Sequence, residues 1–344
     1  MGQTKKDIGY IFLILGTTIG AGLASGQEIV LFFAQYGFVS ILFVILFAII
    51  FAISIKILLN YGNLMQKNAN FNKKYKNEYI FESASGIIFL IFSSIMLAGA
   101  ESLLNQIAIF SRFHLWSILI LLLCFFAVLK GLKWLININF YLIPLIVLST
   151  LLVCCFSFNY SPHSPAVFSF DISNFAFLSV STILYSCCNI MVSSKILIKI
   201  GTKIEEKSIK KVSFFTSLLL STIIIFIIVA LLINDNSLIF AELPMVYLAF
   251  MISDLSGYLY SFIILICIIT TLLSTFFSLK ESIKTKIKSN IISTIIAFFA
   301  ILLLSLFGFE NIVRYSYPII GALGLILIFN LQNRINYSKC ECQF

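Results

Sequence analysis

The sequence predicts an all-α polytopic membrane protein whose ten transmembrane helices form a 5+5 inverted repeat. Three observations support this fold class: an excess of apolar residues, a series of long apolar runs, and a one-sided distribution of basic residues. Of the 344 residues, 60% are hydrophobic and only 11% are charged, and the mean hydropathy is +1.07. Soluble domains carry roughly 25% charged residues, so much of this surface has to face lipid. We expect a single membrane domain over residues 1–344.

Apolar runs separated by charged or Asn-rich breaks give ten predicted spans, since one crossing takes about 20 residues. They cover residues 8–36, 38–59, 83–110, 115–129, 134–158, 174–198, 212–233, 255–279, 291–309 and 312–330. The first repeat therefore covers about residues 8–158 and the second about 174–330. The stretch at about 237–253 contains Pro244 and is too short to cross, so we expect it to form a helical hairpin in the outer face.

The basic residues indicate the orientation of the chain. If the N-terminus is cytoplasmic and the connections alternate, all of the 23 Lys and Arg except Arg112 and Arg314 lie on the cytoplasmic side. This bias follows the positive-inside rule and predicts that both termini are cytoplasmic. The net charge of +9 is then explained by membrane topology, so we expect a lipid bilayer as partner and no nucleic acid.

A cleaved signal peptide is an alternative for the N-terminus, because basic residues and an apolar run precede the small residues Ala21 to Ala24. Cleavage would leave nine spans with the same sidedness. The apolar run resumes directly after Ser25, however, and a signal peptide is followed by a mature domain.

Polar interruptions lie within two of the predicted spans. Four glycines between Gly16 and Gly26 interrupt span one, and each costs roughly 1 kcal/mol relative to Ala in a helix. Close helix packing is the structural alternative, but it does not explain the neighbouring hydroxyl groups and Gln27. In span six, residues 185–189 form a polar patch without Gly or Pro, which alone is more typical of an interhelical hydrogen-bond patch.

The two interruptions open successive groups of five spans with opposite orientations. We therefore expect helices 1 and 6 to be discontinuous. Paired broken helices in inverted repeats are found in many secondary transporters, which hold the substrate near the bilayer midplane.

The run GAGLASGQEIVLFF at residues 20–33 resembles the opening motif of the YkvI-like bacterial membrane proteins. That family is placed with the amino acid/polyamine/organocation superfamily, whose fold is that of the leucine transporter LeuT. The other spans match mainly in number, order and the outer hairpin before span eight. The resemblance implies a LeuT-like fold, a transport function and a location in the bacterial inner membrane. It does not identify a solute.

The resemblance also implies a substrate site between spans one and six. A break in span one exposes backbone N–H groups that favour an anionic group, such as the carboxylate of an amino acid. The implied contact residues are Thr18, Ala21 and Gly22 in span one and Tyr185, Ser186 and Asn189 in span six.

The same resemblance implies a Na+ site between spans one and eight, and this coupling ion is the only cofactor we expect. Its oxygen ligands would come from backbone carbonyls near Gly16 and Ile19 and from the hydroxyls of Thr270 and Thr271. Adjacent Thr residues are equally compatible with a packing role, in which each hydroxyl bonds back to the preceding turn.

Two acidic residues within the spans are candidates for coupling or gating. Glu28 follows the break in span one, where it could cap the following helix, compete with an anionic substrate, or carry a proton. Glu101 lies toward the outer third of span three, where a structural hydrogen bond is the simpler interpretation. Glu242, Asp254 and Glu310 lie at the outer boundary and are expected to be solvated.

These observations favour a secondary active transporter of a small solute, an amino acid or related amine, that works by alternating access with Na+ or H+ coupling. The alternative is a sensor on the same fold, similar to the membrane subunit of germinant receptors, that binds a ligand without moving it. We do not expect an enzyme: His114 and His163 both fall in outer connections, and the sequence contains neither a Walker A motif nor a zinc-protease helix. The sequence does not indicate a protein partner.

Overall fold

The computed structural model describes residues 2–67, 79–107, 115–130, 135–160, 172–234, 238 and 240–341. These residues form helices and turns, with no β-strand among them. The α-helices are α1 (Gly2–Thr18), α2 (Ala21–Ser25), α3 (Gln27–Phe32), α4 (Ser40–Lys67), α5 (Tyr79–Ile107), α6 (Leu115–Lys130), α7 (Leu135–Ser157), α8 (Ile172–Gly201), α9 (Glu206–Ile233), α10 (Pro244–Ile252), α11 (Asp254–Ile287), α12 (Asn290–Ser305) and α13 (Phe309–Glu341). Short 3-10 helices cover Ala34–Val39 and Phe158–Tyr160.

Each predicted span coincides with helical structure. Within the described residues, six helices are long and apolar enough to cross a membrane, namely α4, α5, α8, α9, α11 and α13. The apolar helices α6, α7 and α12 are shorter. Because span one is interrupted, no single helix in it reaches that length. The protein is therefore a membrane protein with several apolar helices, while the number of ten crossings and the orientation of the termini stay predictions. Arg112, His114 and His163 lie outside the described residues.

The predicted interruption of span one is confirmed. Helix α1 ends at Thr18, Ile19 and Gly20 are not helical, and the five-residue α2 follows. Gly26 then separates α2 from α3 with a φ of 84°, a left-handed conformation that strongly favours glycine. The glycine-rich sequence therefore produces two breaks, one on each side of α2.

The predicted discontinuity of helix 6, the helix of span six, is wrong. Span six is formed by α8, which runs without a break through residues 185–189. Within this patch, the Asn189 side chain bonds to its own helix. Asn189 Nδ2 donates to the Tyr185 carbonyl at 3.0 Å, and Ser193 Oγ donates to the Asn189 carbonyl at 2.8 Å. Without a Gly or Pro in the patch, nothing in the local sequence opposes the helix.

The outer segment before span eight also differs from the prediction. The described part of residues 237–253 contains one α-helix, α10, instead of a helical hairpin. Pro244 occupies the first turn of α10, where its missing N–H is not needed. At the other end, Ser253 caps the next helix by accepting a hydrogen bond from the Ser256 backbone N–H at 3.2 Å. Pro and Ser therefore set the start and the end of a single short helix.

The helices pack as two groups. In the first group, α8 and α9, from spans six and seven, each contact both α1 and α4, from spans one and two. In the second group, α5 and α12 pack against α11, and α6 contacts all three. Helix α7 touches members of both groups, and α13 contacts α4, α5 and α8.

The pieces of span one are divided between these groups. Helices α1 and α3 pack against α8 and α9 of the first group, whereas α2 packs against α5 and α11 of the second group and against α10. The breaks at Gly20 and Gly26 therefore lie where the chain passes from one group to the other.

Helix α8 is held close to its neighbours by small residues. A Cβ at Gly62 of α4 would overlap the Ile198 carbonyl oxygen of α8, and Cβ atoms at Gly321 and Gly324 of α13 would overlap the carbonyl oxygens of Leu184 and Cys187. Small residues at such crossings let backbones approach closely. The result is a fixed position for the middle of α8, which carries Tyr185.

We predict that Gly324→Ala lowers the thermal stability of the purified protein. The added methyl meets backbone, which cannot move aside without separating α13 from α8, and overpacking of this kind costs about 1–3 kcal/mol. Gly9→Ala is the matched control, since a Cβ at Gly9 meets nothing within 4 Å. Equal melting temperatures for the two variants in detergent would contradict the close α8–α13 contact.

Candidate functional site

The break before α3 is held in place by side chains from spans five and eight. Tyr260 of α11, which is buried, donates its hydroxyl to the Ala24 carbonyl at 2.7 Å, and Thr150 of α7 lies 3.1 Å from the same hydroxyl. Ser25 Oγ donates to the Gly22 carbonyl at 3.1 Å. Carbonyl groups at the end of a helix need partners when water is absent, and these hydroxyl groups supply them.

Glu28 lies in the first turn of α3 and is buried, with 4% of its surface exposed. Both of its carboxyl oxygens are hydrogen-bonded by tyrosines from other spans. Tyr185 of α8 donates its hydroxyl to Oε2 at 3.0 Å, and Tyr317 of α13 donates to Oε1. Among the described residues, Glu28 has no Lys or Arg in ion-pair contact. A single carboxyl group therefore joins spans one, six and ten through neutral donors.

Gly22 provides the space for this carboxyl group. A Cβ at position 22 would overlap the Glu28 side chain, including Oε1. The turn at Gly26 brings α2 and α3 close enough for this contact. The glycine-rich segment thus shapes the break and also leaves room for the Glu28 side chain.

Aromatic rings surround the two tyrosines. The Tyr185 ring centroid lies 5.0 Å from Phe32, 5.6 Å from Phe33 and 5.5 Å from Phe47. The Tyr317 centroid lies 5.9 Å from Phe32 and 5.6 Å from Phe92. The carboxyl group is consequently enclosed by two hydroxyl groups and a largely apolar wall.

The outer segment covers the other side of the break. In the orientation that satisfies the amide, Gln27 donates to the carbonyls of Ala241 and Glu242, each at 3.1 Å. A Cβ at Gly26 would come within 2.8 Å of Met245 Cγ. Glu242 is exposed, as predicted for an outer-boundary residue, and accepts a hydrogen bond from Ser102 of α5. The break is thus covered by α10 and the turn that precedes it.

Comparison with known proteins agrees with this fold. No family model matches the chain. The chain is 25% identical to the uncharacterized membrane protein YkvI of Bacillus subtilis (strain 168), over 61% of this chain and 62% of YkvI, so the match spans less than two thirds of YkvI. It is 27% identical to the uncharacterized protein YyaD of the same organism, over 94% of this chain and 95% of YyaD.

This chain resembles the YkvI-like membrane proteins. Solved structures show the same fold: MhsT in complex with L-phenylalanine has a TM-score of 0.61 at 16% identity, covering 93% of this chain and 87% of MhsT. A manganese transporter of Eremococcus coleocola has a TM-score of 0.62 at 11% identity, covering 94% of this chain and 77% of the transporter. Mhp1 in an inward-facing conformation has a TM-score of 0.58 at 11% identity, covering 92% of this chain and 73% of Mhp1. At these identities the likeness concerns the fold, which is of the LeuT type.

The structure brings two of the predicted substrate contacts together, since Gly22 and Tyr185 both touch Glu28. Ser186 Oγ is fully buried and has no hydrogen-bond partner. The other two described side chains bond to their own helices: Thr18 Oγ1 donates to the Leu15 carbonyl at 3.0 Å, and Asn189 bonds as described above. Ala21 begins α2. Binding of a ligand by these residues stays a prediction.

The predicted Na+ ligands show local bonding. Thr270 Oγ1 donates to the Cys267 carbonyl at 3.0 Å, which is the packing alternative considered for this pair. The Thr271 carbonyl accepts from Ser274 Oγ and Thr275 Oγ1. Gly16 faces Ile143 of α7. The Na+ site at Gly16, Ile19, Thr270 and Thr271 stays a prediction.

The second coupling candidate, Glu101, is buried on α5 and accepts a hydrogen bond from Ser117 of α6. This contact joins spans three and four, as a structural hydrogen bond would. Sequence reasoning did not identify Tyr317, although it belongs to a Tyr-Ser-Tyr-Pro stretch in a predicted span, where a polar group indicates a buried partner.

We predict that Tyr317→Phe destabilises the protein by about 1–3 kcal/mol, because it leaves a buried carboxyl oxygen unsatisfied. Tyr315→Phe is the matched control, since Tyr315 is two residues away and 69% exposed. In a Glu28→Leu background the cost of Tyr317→Phe should shrink, giving a coupling of roughly 0.5–3 kcal/mol in a double-mutant cycle. An undiminished cost in that background would mean that Tyr317 does not act through Glu28.

Proposed function

We propose that this protein is a secondary transporter of a small organic solute, an amino acid or related amine, that works by alternating access with cation coupling. The observation that carries this proposal is the interrupted first span, whose buried Glu28 is shared with spans six and ten in a LeuT-type fold. Irregular backbone at membrane depth is tolerated where it is buried in protein or lines a cavity, and such breaks form binding sites in transporters.

The division of the helices into two groups supports a rocking motion. The group formed by α1, α4, α8 and α9 could turn against the group around α5 and α11, and the breaks at Gly20 and Gly26 lie where span one passes between them. A few residues between helices can absorb large changes in backbone angles, and the residues at these breaks would do so here. The solute would sit beside the break and be exposed to each side in turn.

The side chains favour an organic solute over a metal ion. Similar folds are found in a structure with L-phenylalanine bound and in a manganese transporter, so the fold does not choose between these classes. The described part of the chain has no group of three His, Cys, Asp or Glu that could hold a metal ion. The aromatic wall around Glu28 and the hydroxyl groups of Tyr185 and Tyr317 suit a solute with an apolar body and a few polar groups.

Two coupling modes remain part of this proposal. Na+ would use carbonyls near Gly16 and Ile19 with Thr270 and Thr271, and H+ would use Glu28. We propose ten crossings of the cell membrane with both termini cytoplasmic. The gradient of the coupling ion would then set whether the solute is taken up or exported.

We predict that purified wild-type protein in liposomes exchanges a labelled amino acid or amine without any other protein. Ligands are first found by thermal shift in Na+ and in K+ buffer, where a ligand at 100 times its dissociation constant stabilises by about 2.7 kcal/mol. Gly22→Leu should abolish both binding and exchange because the new side chain displaces Glu28, whereas Gly9→Leu, at an open position, should retain them.

Binding without exchange would contradict transport and favour the sensor on the same fold. Normal binding by Gly22→Leu would show that the site does not lie at the break. A shift seen only in Na+ buffer would support Na+ coupling.

A further inference from the structure

The Glu28 carboxyl group has an environment that selects for one class of ligand. Its two oxygens meet hydroxyl groups, and the next shell consists of the rings of Phe32, Phe33, Phe47 and Phe92. A carboxylate attracts a positive charge, and aromatic faces attract cations with an apolar surface. We propose that Glu28 binds the ammonium group of an organic amine and releases a proton when it does so.

The site is built for one positive charge. A buried carboxylate without a cation is costly, and the tyrosine hydroxyls only partly offset that cost. The titratable groups that face Glu28 are Tyr185 and Cys188 from α8 and Tyr317 from α13, and none of them carries a positive charge. The described residues of α4 and α9 make no ion pair with Glu28. An incoming ammonium group would supply the missing charge.

The hydroxyl groups of Tyr185 and Tyr317 can bond Glu28 both when it carries a proton and when it pairs with an ammonium group. A hydroxyl group can donate or accept, so the pair can bond a neutral carboxyl group or a carboxylate. When the amine binds, the O–H bond of the carboxyl group breaks and the proton leaves to water. The ammonium group then donates to the carboxylate in place of one tyrosine hydroxyl. The charge of the site is the same before and after, so neither state leaves an unpaired charge in the apolar bundle.

This inference rests on the proposed function and narrows it. Because Glu28 supplies the negative charge itself, the solute needs an amine and does not need a carboxylate. A solute with a carboxylate alone would bring a negative charge that no cation in this site offsets, so it should be rejected. Coupling then takes the form of exchange, in which an amine cation and a proton compete for the same carboxyl group.

The test uses two sets of matched probes with purified full-length protein. The first set is phenethylamine, L-phenylalanine and 3-phenylpropionate, and the second is isoamylamine, L-leucine and 4-methylpentanoate. In each set the first compound has only the amine, the second has both the amine and the carboxylate, and the third has only the carboxylate. Binding is measured by calorimetry, and proton release by a pH indicator in weakly buffered detergent solution.

We expect both amines to bind, each with release of about one proton, and both carboxylates to fail. Glu28→Gln should weaken amine binding by roughly 30-fold or more and abolish proton release, since it removes one member of a buried charge pair. Glu310→Gln, which removes an exposed carboxylate that pairs with Arg314, should change neither. If Glu28→Gln does not fold, the wild type still gives a test: amine affinity should rise about tenfold per pH unit where one proton is released.

Amine binding without proton release, or carboxylate binding that equals amine binding, would overturn this inference. If L-phenylalanine or L-leucine is exchanged by liposomes while neither amine binds, the inference fails and the transport proposal stands. If the amines bind with proton release but no flux occurs, the amine site stands and transport is contradicted.

Discussion

A carboxyl group held inside an apolar helix bundle is the constraint on which the rest of this structure depends. Glu28 is bonded by hydroxyl groups from two distant spans, and each of these contacts requires a specific backbone position. Helix α8 reaches that position through its glycine contacts with α4 and α13. In span one, Gly22 leaves room for the Glu28 side chain, and the left-handed turn at Gly26 brings α2 and α3 together. The polar centre and the close helix crossings are therefore parts of one arrangement.

The same arrangement relates the site to movement. Tyr260 fixes the end of α2 from span eight, while Glu28 fixes the start of α3 through spans six and ten. The few residues between these two anchors contain the turn at Gly26. In the proposed rocking motion this turn lies between the two helix groups, and the motion would change the surroundings of Glu28. The proposed transport cycle would therefore link the chemistry at the carboxyl group to the position of the helix groups.

The sequence predicted the main features of the fold because they depend on composition and local conformation. The apolar runs located the helices, and the glycines between Gly16 and Gly26 located the break. The polar patch at residues 185–189 was a weaker signal, and span six is continuous because the patch contains no Gly or Pro and Asn189 bonds within the helix. Tyr317 was not identified because its contact with Glu28 joins residues 289 positions apart, which depends on how α13 packs and not on local sequence.

Infrared difference spectroscopy of the Glu28 carboxyl group tests the central claim most directly. The carboxyl band that is present in the wild type and absent in Glu28→Gln should shift in Tyr317→Phe and in Tyr185→Phe, because each variant loses one hydrogen bond to that group. It should keep its position in Tyr315→Phe. A band at the same position in all of these variants, or no band assignable to Glu28, would contradict a buried carboxyl group shared by spans one, six and ten.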